Sequence, residues 1–132
     1  MKLKYITLIL LLSVSFGCKK VNNTEVNTFE VSTAASTFNA GEEVVFKLSG
    51  KPFQIAFYSG EAGKEYLYKD TPKPPATKVD VGRPIKSYAD AAISEFTYVF
   101  TVPGTYRVTF VARSTTVYTD KESVKNVDIT IN

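Results

Sequence analysis

Apolar and polar residues alternate with a period of two through most of this chain, and that pattern restricts it to β structure. Glu43 to Ser49 sets Val44, Phe46 and Leu48 on one side, with Glu43, Val45 and Lys47 on the other. A strand buried on one face reads this way because successive side chains point to opposite sides of the sheet. Thr28 to Thr33 does the same with Phe29, Val31 and Thr33, and Phe53, Ile55 and Phe57 alternate with Gln54, Ala56 and Tyr58. Glu65 to Lys69 is a short aromatic strand candidate. Ile93 to Thr101 places Phe96, Tyr98 and Phe100 on one face, and Thr105 to Arg113 places Tyr106, Val108, Phe110 and Ala112 opposite Arg107, Thr109 and Val111. Ser123 to Ile131 closes the series with Val127, Ile129 and Ile131 inward.

Turn chemistry separates these runs: Asn39-Ala40-Gly41-Glu42, Lys51-Pro52, Ser59-Gly60 and Pro103-Gly104. Asp70 to Ala92 carries Pro72, Pro74, Pro75 and Pro84 and no sustained pattern. Proline cannot donate to a strand ladder, so this stretch is a surface excursion or an edge segment that blocks further strand addition. No window after residue 20 has a helical period, and Ala89 to Ile93 has room for one turn at most. About seven short strands in roughly a hundred residues predict an all-β fold, an antiparallel two-sheet sandwich.

The run Phe96-Thr97-Tyr98-Val99-Phe100-Thr101-Val102-Pro103-Gly104-Thr105-Tyr106-Arg107-Val108-Thr109-Phe110 resembles the late strands of PKD-type immunoglobulin-like domains. The resemblance makes Tyr106 a tyrosine corner, with its ring in the core and its hydroxyl on backbone near the turn. Phe38 to Phe46 looks like that family's entry into its second strand, and the likeness extends over most of residues 29–132. The family usually has a Trp-containing strand followed by Gly-Asp-Gly; here Ile55-Ala56-Phe57-Tyr58-Ser59-Gly60-Glu61 stands in its place, with Phe57 as the core filler. Phe57 to Tyr66 in turn looks like a segment of the N-terminal module of Bacteroidota lipoproteins classed as a domain of unknown function. Those are often encoded near outer-membrane nutrient-uptake systems, and in several a larger β-rich domain follows. With the sequence ending at Asn132, the expectation here is one domain over residues 28–132.

The N-terminus addresses the product. Met1 to Lys4 is basic, Tyr5 to Phe16 is an uncharged, mostly apolar run of 12 residues, and Ser15-Phe16-Gly17-Cys18 closes it. A permanent membrane helix needs about 20 apolar residues, so residues 1–17 read as a signal peptide. The segment resembles a bacterial lipoprotein signal ending in a lipobox, in the relaxed form used by Bacteroidota. By that resemblance Cys18 is the lipid attachment point and the first mature residue, held at the bacterial outer membrane, with the facing side left open. The alternative is a leftover thiol after an ordinary secretory signal, which is a liability in an oxidising compartment. Residues 18–27 then form a polar tether.

Composition removes whole classes of chemistry. The chain has no His, no Trp and one Cys, which leaves no His- or Cys-based catalysis, no zinc ligation and no internal disulfide. Loss of Lys2 and Lys4 from the 16 basic residues leaves 14 against 13 acidic, a net +1, so no nucleic-acid partner is expected. Glu61 and Glu65 flank a glycine turn but read as solvated charges beside Lys64 and Lys69. Asp70, Asp80 and Asp90 lack the dense spacing of a calcium loop. Ser114-Thr115-Thr116 has no base at a telling distance, so neither an enzyme nor a cofactor or metal is expected.

Tyr58, Tyr66, Tyr68, Tyr88 and Tyr118 are expected nearer the surface than the phenylalanines. Exposed tyrosines stack on sugar rings or anchor protein interfaces, and otherwise cover sandwich edges. Tyr66, Tyr68 and Tyr88 are the candidate ligand-binding residues, with Glu65 to Tyr68 and the proline-rich loop as the first place to look. The expected product is a lipid-anchored, noncatalytic binding or spacer module of the cell envelope, with envelope proteins or glycans as partners. The alternative is a glycan-binding accessory lipoprotein of a nutrient-uptake system, with a hydrolase a distant third.

Overall fold

The structure, a computed structural model, describes residues 28–67, 82–115, 117–118 and 120–132. Within them the chain forms β1 (Glu30–Thr33), β2 (Thr37–Phe38), β3 (Glu43–Ser49), β4 (Gln54–Tyr58), β5 (Arg83–Lys86), β6 (Glu95–Val99), β7 (Gly104–Thr115) and β8 (Asp120–Ile131). One sheet has the order β1-β3-β6 and the other β2-β8-β7-β4-β5. Every pairing is antiparallel except β2 with β8, where Thr37 and Phe38 lie parallel to Thr130 and Ile131. The first part of the chain thus pairs in one sheet through β1 and crosses to the other through β2. Two facing sheets with this order make an immunoglobulin-like β-sandwich.

The inward rows of the alternating segments meet between the sheets. Val44, Phe46 and Leu48 of β3 face Ile55, Phe57, Val108, Phe110, Ala112, Ile129 and Ile131, and Phe29 and Phe100 are fully buried with them. Phenylalanine dominates this interior. Phe46 and Phe110 have ring centroids 5.2 Å apart across the two sheets, Phe57 and Phe110 5.3 Å, and Phe57 and Phe96 4.7 Å, all tilted. Such pairs add about 0.5–1.5 kcal/mol each beyond the area they bury.

Four expectations are corrected. Residues 65–67 are not a strand, and the rest of that candidate, residues 68 and 69, lies outside the described residues. The edge-segment reading of the proline-bearing stretch, by contrast, is met in its described part by β5, an edge strand whose Pro84 lies opposite Ala56 beside a register shift. Two residues, Thr37 and Phe38, form a strand too short for periodicity to reveal. With β2 and β5 added and the 65–69 candidate removed, the count among the described residues is eight rather than about seven. Finally, β7 is buried on both faces from Val108 to Ala112, including Thr109 and Val111, and Tyr58 is only 4% exposed. The outer face of the larger sheet is therefore covered around Tyr58, Thr109 and Val111, while Arg107, Asn126 and Asp128 on the same sheet stay exposed.

Candidate functional site

The cover comes from the chain that leaves β4. After Tyr58, Ser59 is buried, Gly60 takes φ 80°, and Lys64 N–H donates to the Glu61 carbonyl at 2.8 Å, closing a tight turn. A methyl group built on Gly60 would overlap the Arg107 carbonyl of β7, so both the left-handed φ and the close approach require glycine here. The chain then runs back over the outer face. Tyr66 sets its ring edge-on to Tyr58 at 5.0 Å, and its hydroxyl donates to Glu122 Oε1 of β8 at 3.2 Å. On the other side of Tyr58, a methyl on Gly82 would strike the tyrosine ring, so the approach to β5 is packed equally tightly.

A cleft of about 400 Å³ remains between this returning strap and the sheet. Glu65, Tyr66 and Leu67 line it from the strap, Thr105, Arg107 and Thr109 from β7, and Asn126 from β8. Its polar floor is already ordered: Thr109 Oγ1 donates to Asn126 Oδ1 at 2.8 Å, and Arg107 pairs with Asp128 at 2.9 Å through Nε. That leaves the Asn126 amide donors, the Glu65 carboxylate and the Tyr66 ring as the groups that a polar ligand would meet.

Glu61 sits at the side opening of the sandwich and joins the two sheets. Its Oε2 accepts from the Tyr98 hydroxyl of β6 at 2.5 Å and from Ser59 Oγ at 2.7 Å, while Lys64 Nζ stands 3.7 Å away. Burial pushes the Glu61 carboxyl up, but the hydrogen bonds from Tyr98 and Ser59 and the Lys64 charge outweigh it and hold the group below the ordinary glutamate value. Burial and the adjacent carboxylate raise Tyr98 in turn. Glu61 is thus a structural clamp rather than a solvated turn charge.

The remaining candidates fall in separate places. Tyr88 is 65% exposed and packs on Phe53 with centroids 5.1 Å apart, at the opposite end of β4 from the Tyr58–Tyr66 contact. Tyr66 and Tyr88 therefore do not form one platform. Tyr106 stacks on Phe100 at 4.9 Å, and its hydroxyl donates to the Val102 carbonyl at 2.7 Å, four residues upstream. This is the hydrogen bond that defines a tyrosine corner. Asp90 accepts from the Ser87 amide and hydroxyl at 2.7 and 2.8 Å and closes a turn, and those bonds hold its carboxyl below the usual aspartate value. Cys18, Tyr68, Asp70 and Asp80 lie outside the described residues.

Residues 17–80 match a family model described as a domain of unknown function, DUF5017. The matched stretch holds Cys18, β1 to β4, the Glu61 turn, the strap with Tyr66 and, in sequence, Tyr68, whereas Tyr88, Tyr106 and β5 to β8 lie beyond it. Searches of curated proteins and of solved structures gave no match.

The periodic reading missed the covered outer face, yet β7 carries its signal. Val108-Thr109-Phe110-Val111-Ala112 is a nearly continuous apolar run, and such runs mark strands covered on both sides. Of the partners of Glu61 only Tyr98 is remote: Ser59 lies two residues before it and Lys64 three after, so the sequence shows the turn but not the bond across to the other sheet.

Proposed function

We propose that this protein is a lipid-anchored, noncatalytic binding or spacer module of the bacterial cell envelope, held at the outer membrane through Cys18. The observation that carries the reading is the short distance along the chain from Cys18 to the first core residue, Phe29, which is fully buried. The tether 18–27 holds ten residues, and ten residues of chain reach about 35 Å at most, so a lipid on Cys18 keeps the sandwich beside the bilayer. The polar groups in and around the core act within the fold, which also suits a spacer: Glu61 clamps the sheets, and Lys86 Nζ donates to the Phe53 carbonyl at 2.9 Å. Mass spectrometry of the Cys18 peptide from the membrane fraction tests the reading. A diacylated or triacylated N-terminal Cys18 is expected; an unmodified thiol on secreted protein overturns it.

The cleft favours a second reading, a glycan-binding accessory lipoprotein. It offers one aromatic ring with amide, carboxylate and hydroxyl groups around it, a set that suits hydroxyl-rich ligands. Titration with neutral oligosaccharides, comparing the parent with Tyr66→Ala and Asn126→Ala, decides it: heats lost in both variants support glycan capture, and no heat with the parent ends it.

A further inference from the structure

The cleft over β7 and β8 has two unlike sides. Its floor is polar, built from Thr105, Arg107 and Thr109 of β7 and Asn126 of β8, while the strap brings the Tyr66 ring and the exposed Leu67 to it. Side chains two residues apart on a strand share a face, so the three β7 residues stand in one outward row, each with its β8 partner beside it: Thr105 with Thr130, Arg107 with Asp128 and Thr109 with Asn126. From Thr105 to Thr109 is four residues, about 14 Å along the strand. A floor of that length outruns a single sugar ring and suits a short chain of linked ones. A pyranose is two-sided in the same way. Its C–H faces match Tyr66 and Leu67, and the hydroxyls around its rim match the floor.

Two charged side chains line the cleft, and they are not equivalent. Arg107 is engaged: its Nε donates to Asp128 Oδ1 at 2.9 Å and its Nη2 to Oδ2 at 3.3 Å, a two-point pair that balances its charge. Glu65 receives no such balance from the lysine before it, because Lys64 Nζ stands 3.7 Å from Glu61. The remaining polar groups, the Asn126 amide and the hydroxyls of Thr105 and Thr109, are neutral. The cleft therefore carries the net charge of one carboxylate, and that carboxylate is on the strap.

We propose that this cleft takes a short neutral oligosaccharide and turns away acidic ones, with Glu65 setting the discrimination. The inference rests on the glycan-binding reading and not on the lipid anchor. A uronate or sulfated ring on this floor brings a second negative charge beside Glu65, and close like charges repel all the more strongly where a wall and a floor exclude part of the water. Arg107 offers little in return, since Asp128 already holds two of its donors. A neutral ring meets no such penalty. Its hydroxyls donate to the Glu65 carboxylate and accept from the Asn126 amide, whose oxygen is taken by Thr109 Oγ1 at 2.8 Å and whose N–H groups face the ligand.

Calorimetry on the full chain, in a detergent without a sugar headgroup, tests this with neutral tetrasaccharides of glucose, mannose and galactose and with tetramers of the corresponding uronic acids. Glu65→Gln removes the charge and keeps the shape at an exposed position. The parent should bind a neutral tetrasaccharide about tenfold or more tightly than its uronate counterpart, the scale of one close like charge. In Glu65→Gln the uronate should gain about tenfold while the neutral sugar changes less, so that the ratio falls toward one. A substitution that merely disturbed the strap would weaken both sugars alike. Equal affinities in the parent, a preference for uronate, or a ratio that Glu65→Gln leaves unchanged overturns the charge selection and leaves glycan binding standing. No heat with any of the tetrasaccharides removes the glycan reading and the selection together.

Discussion

A single oxygen of Glu61 carries the hydrogen bonds that tie the β6 side of the sandwich to the end of β4. The bonds from Tyr98 and Ser59 favour its charged form and hold its folded pKa below the unfolded value. A group lowered on folding contributes stability that is fully present above its unfolded pKa and is lost as pH falls through its folded one. The stabilisation from Glu61 is therefore complete at neutral pH and fades below about pH 4.3, the ordinary glutamate range. Glu61→Gln keeps the shape, removes the charge and should lower stability at pH 7 by roughly 1–3 kcal/mol, the scale of hydrogen bonds to a charged acceptor. The urea midpoints of parent and variant should converge toward pH 3. A gap of constant size from pH 7 to pH 3 would mean that charge is not what the clamp uses. Ser114 makes the opposite case: its buried hydroxyl has no hydrogen-bond partner among the described residues, so Ser114→Ala should raise the midpoint, by up to about 1 kcal/mol.

At the scale of elements, the hairpin of β7 and β8 behaves as two parts. Between Val108 and Ala112 it is flanked by β4 on one side, β8 on the other, the core below and the Tyr58–Tyr66 cover above. Among the described residues, Ser114, Thr115, Asp120 and Lys121 pair only across the hairpin. Opening of a segment requires loss of its buried contacts, so amide exchange should be slowest at Phe110 and Val111 and faster by orders of magnitude in the outer ladder around Thr115 and Lys121. Uniform protection along the whole hairpin would show that the tip is covered in free protein. The division also explains what the sequence could tell. Alternation located β3 to the residue and gave the inward rows of β4, β6, β7 and β8, because one-sided burial leaves a period of two. The edge elements β2 and β5 were illegible or half legible: one is two residues long, the other contains Pro84, and partners far along the chain decide both. The cleft was legible only as the stretch Glu65 to Tyr68, since Arg107, Thr109 and Asn126 reach it through pairing and not through proximity in sequence.

At the scale of the whole molecule, the two sheets share one interior and neither has a core of its own. The rings of Phe46 from the three-stranded sheet and of Phe57 and Phe110 from the five-stranded sheet pack against one another, and Phe96 adds a contact to Phe57 and an edge contact to Phe110. Removing one ring leaves a void bordered by both sheets. Phe110→Ala should accordingly cost about 3–5 kcal/mol, a large part of the 5–15 kcal/mol that a domain of this size holds in total. The loss should also be shared. Tyr98 belongs to the smaller sheet and Tyr58 to the larger, so tyrosine fluorescence samples both while far-ultraviolet circular dichroism follows the strands. In urea the two signals should fall together in the parent and again, at a lower midpoint, in Phe110→Ala. Two separated transitions would mean that the five-stranded sheet persists alone, its outer face stabilised by the Tyr66 strap, and the shared interior would then not be what makes the sandwich a single unit.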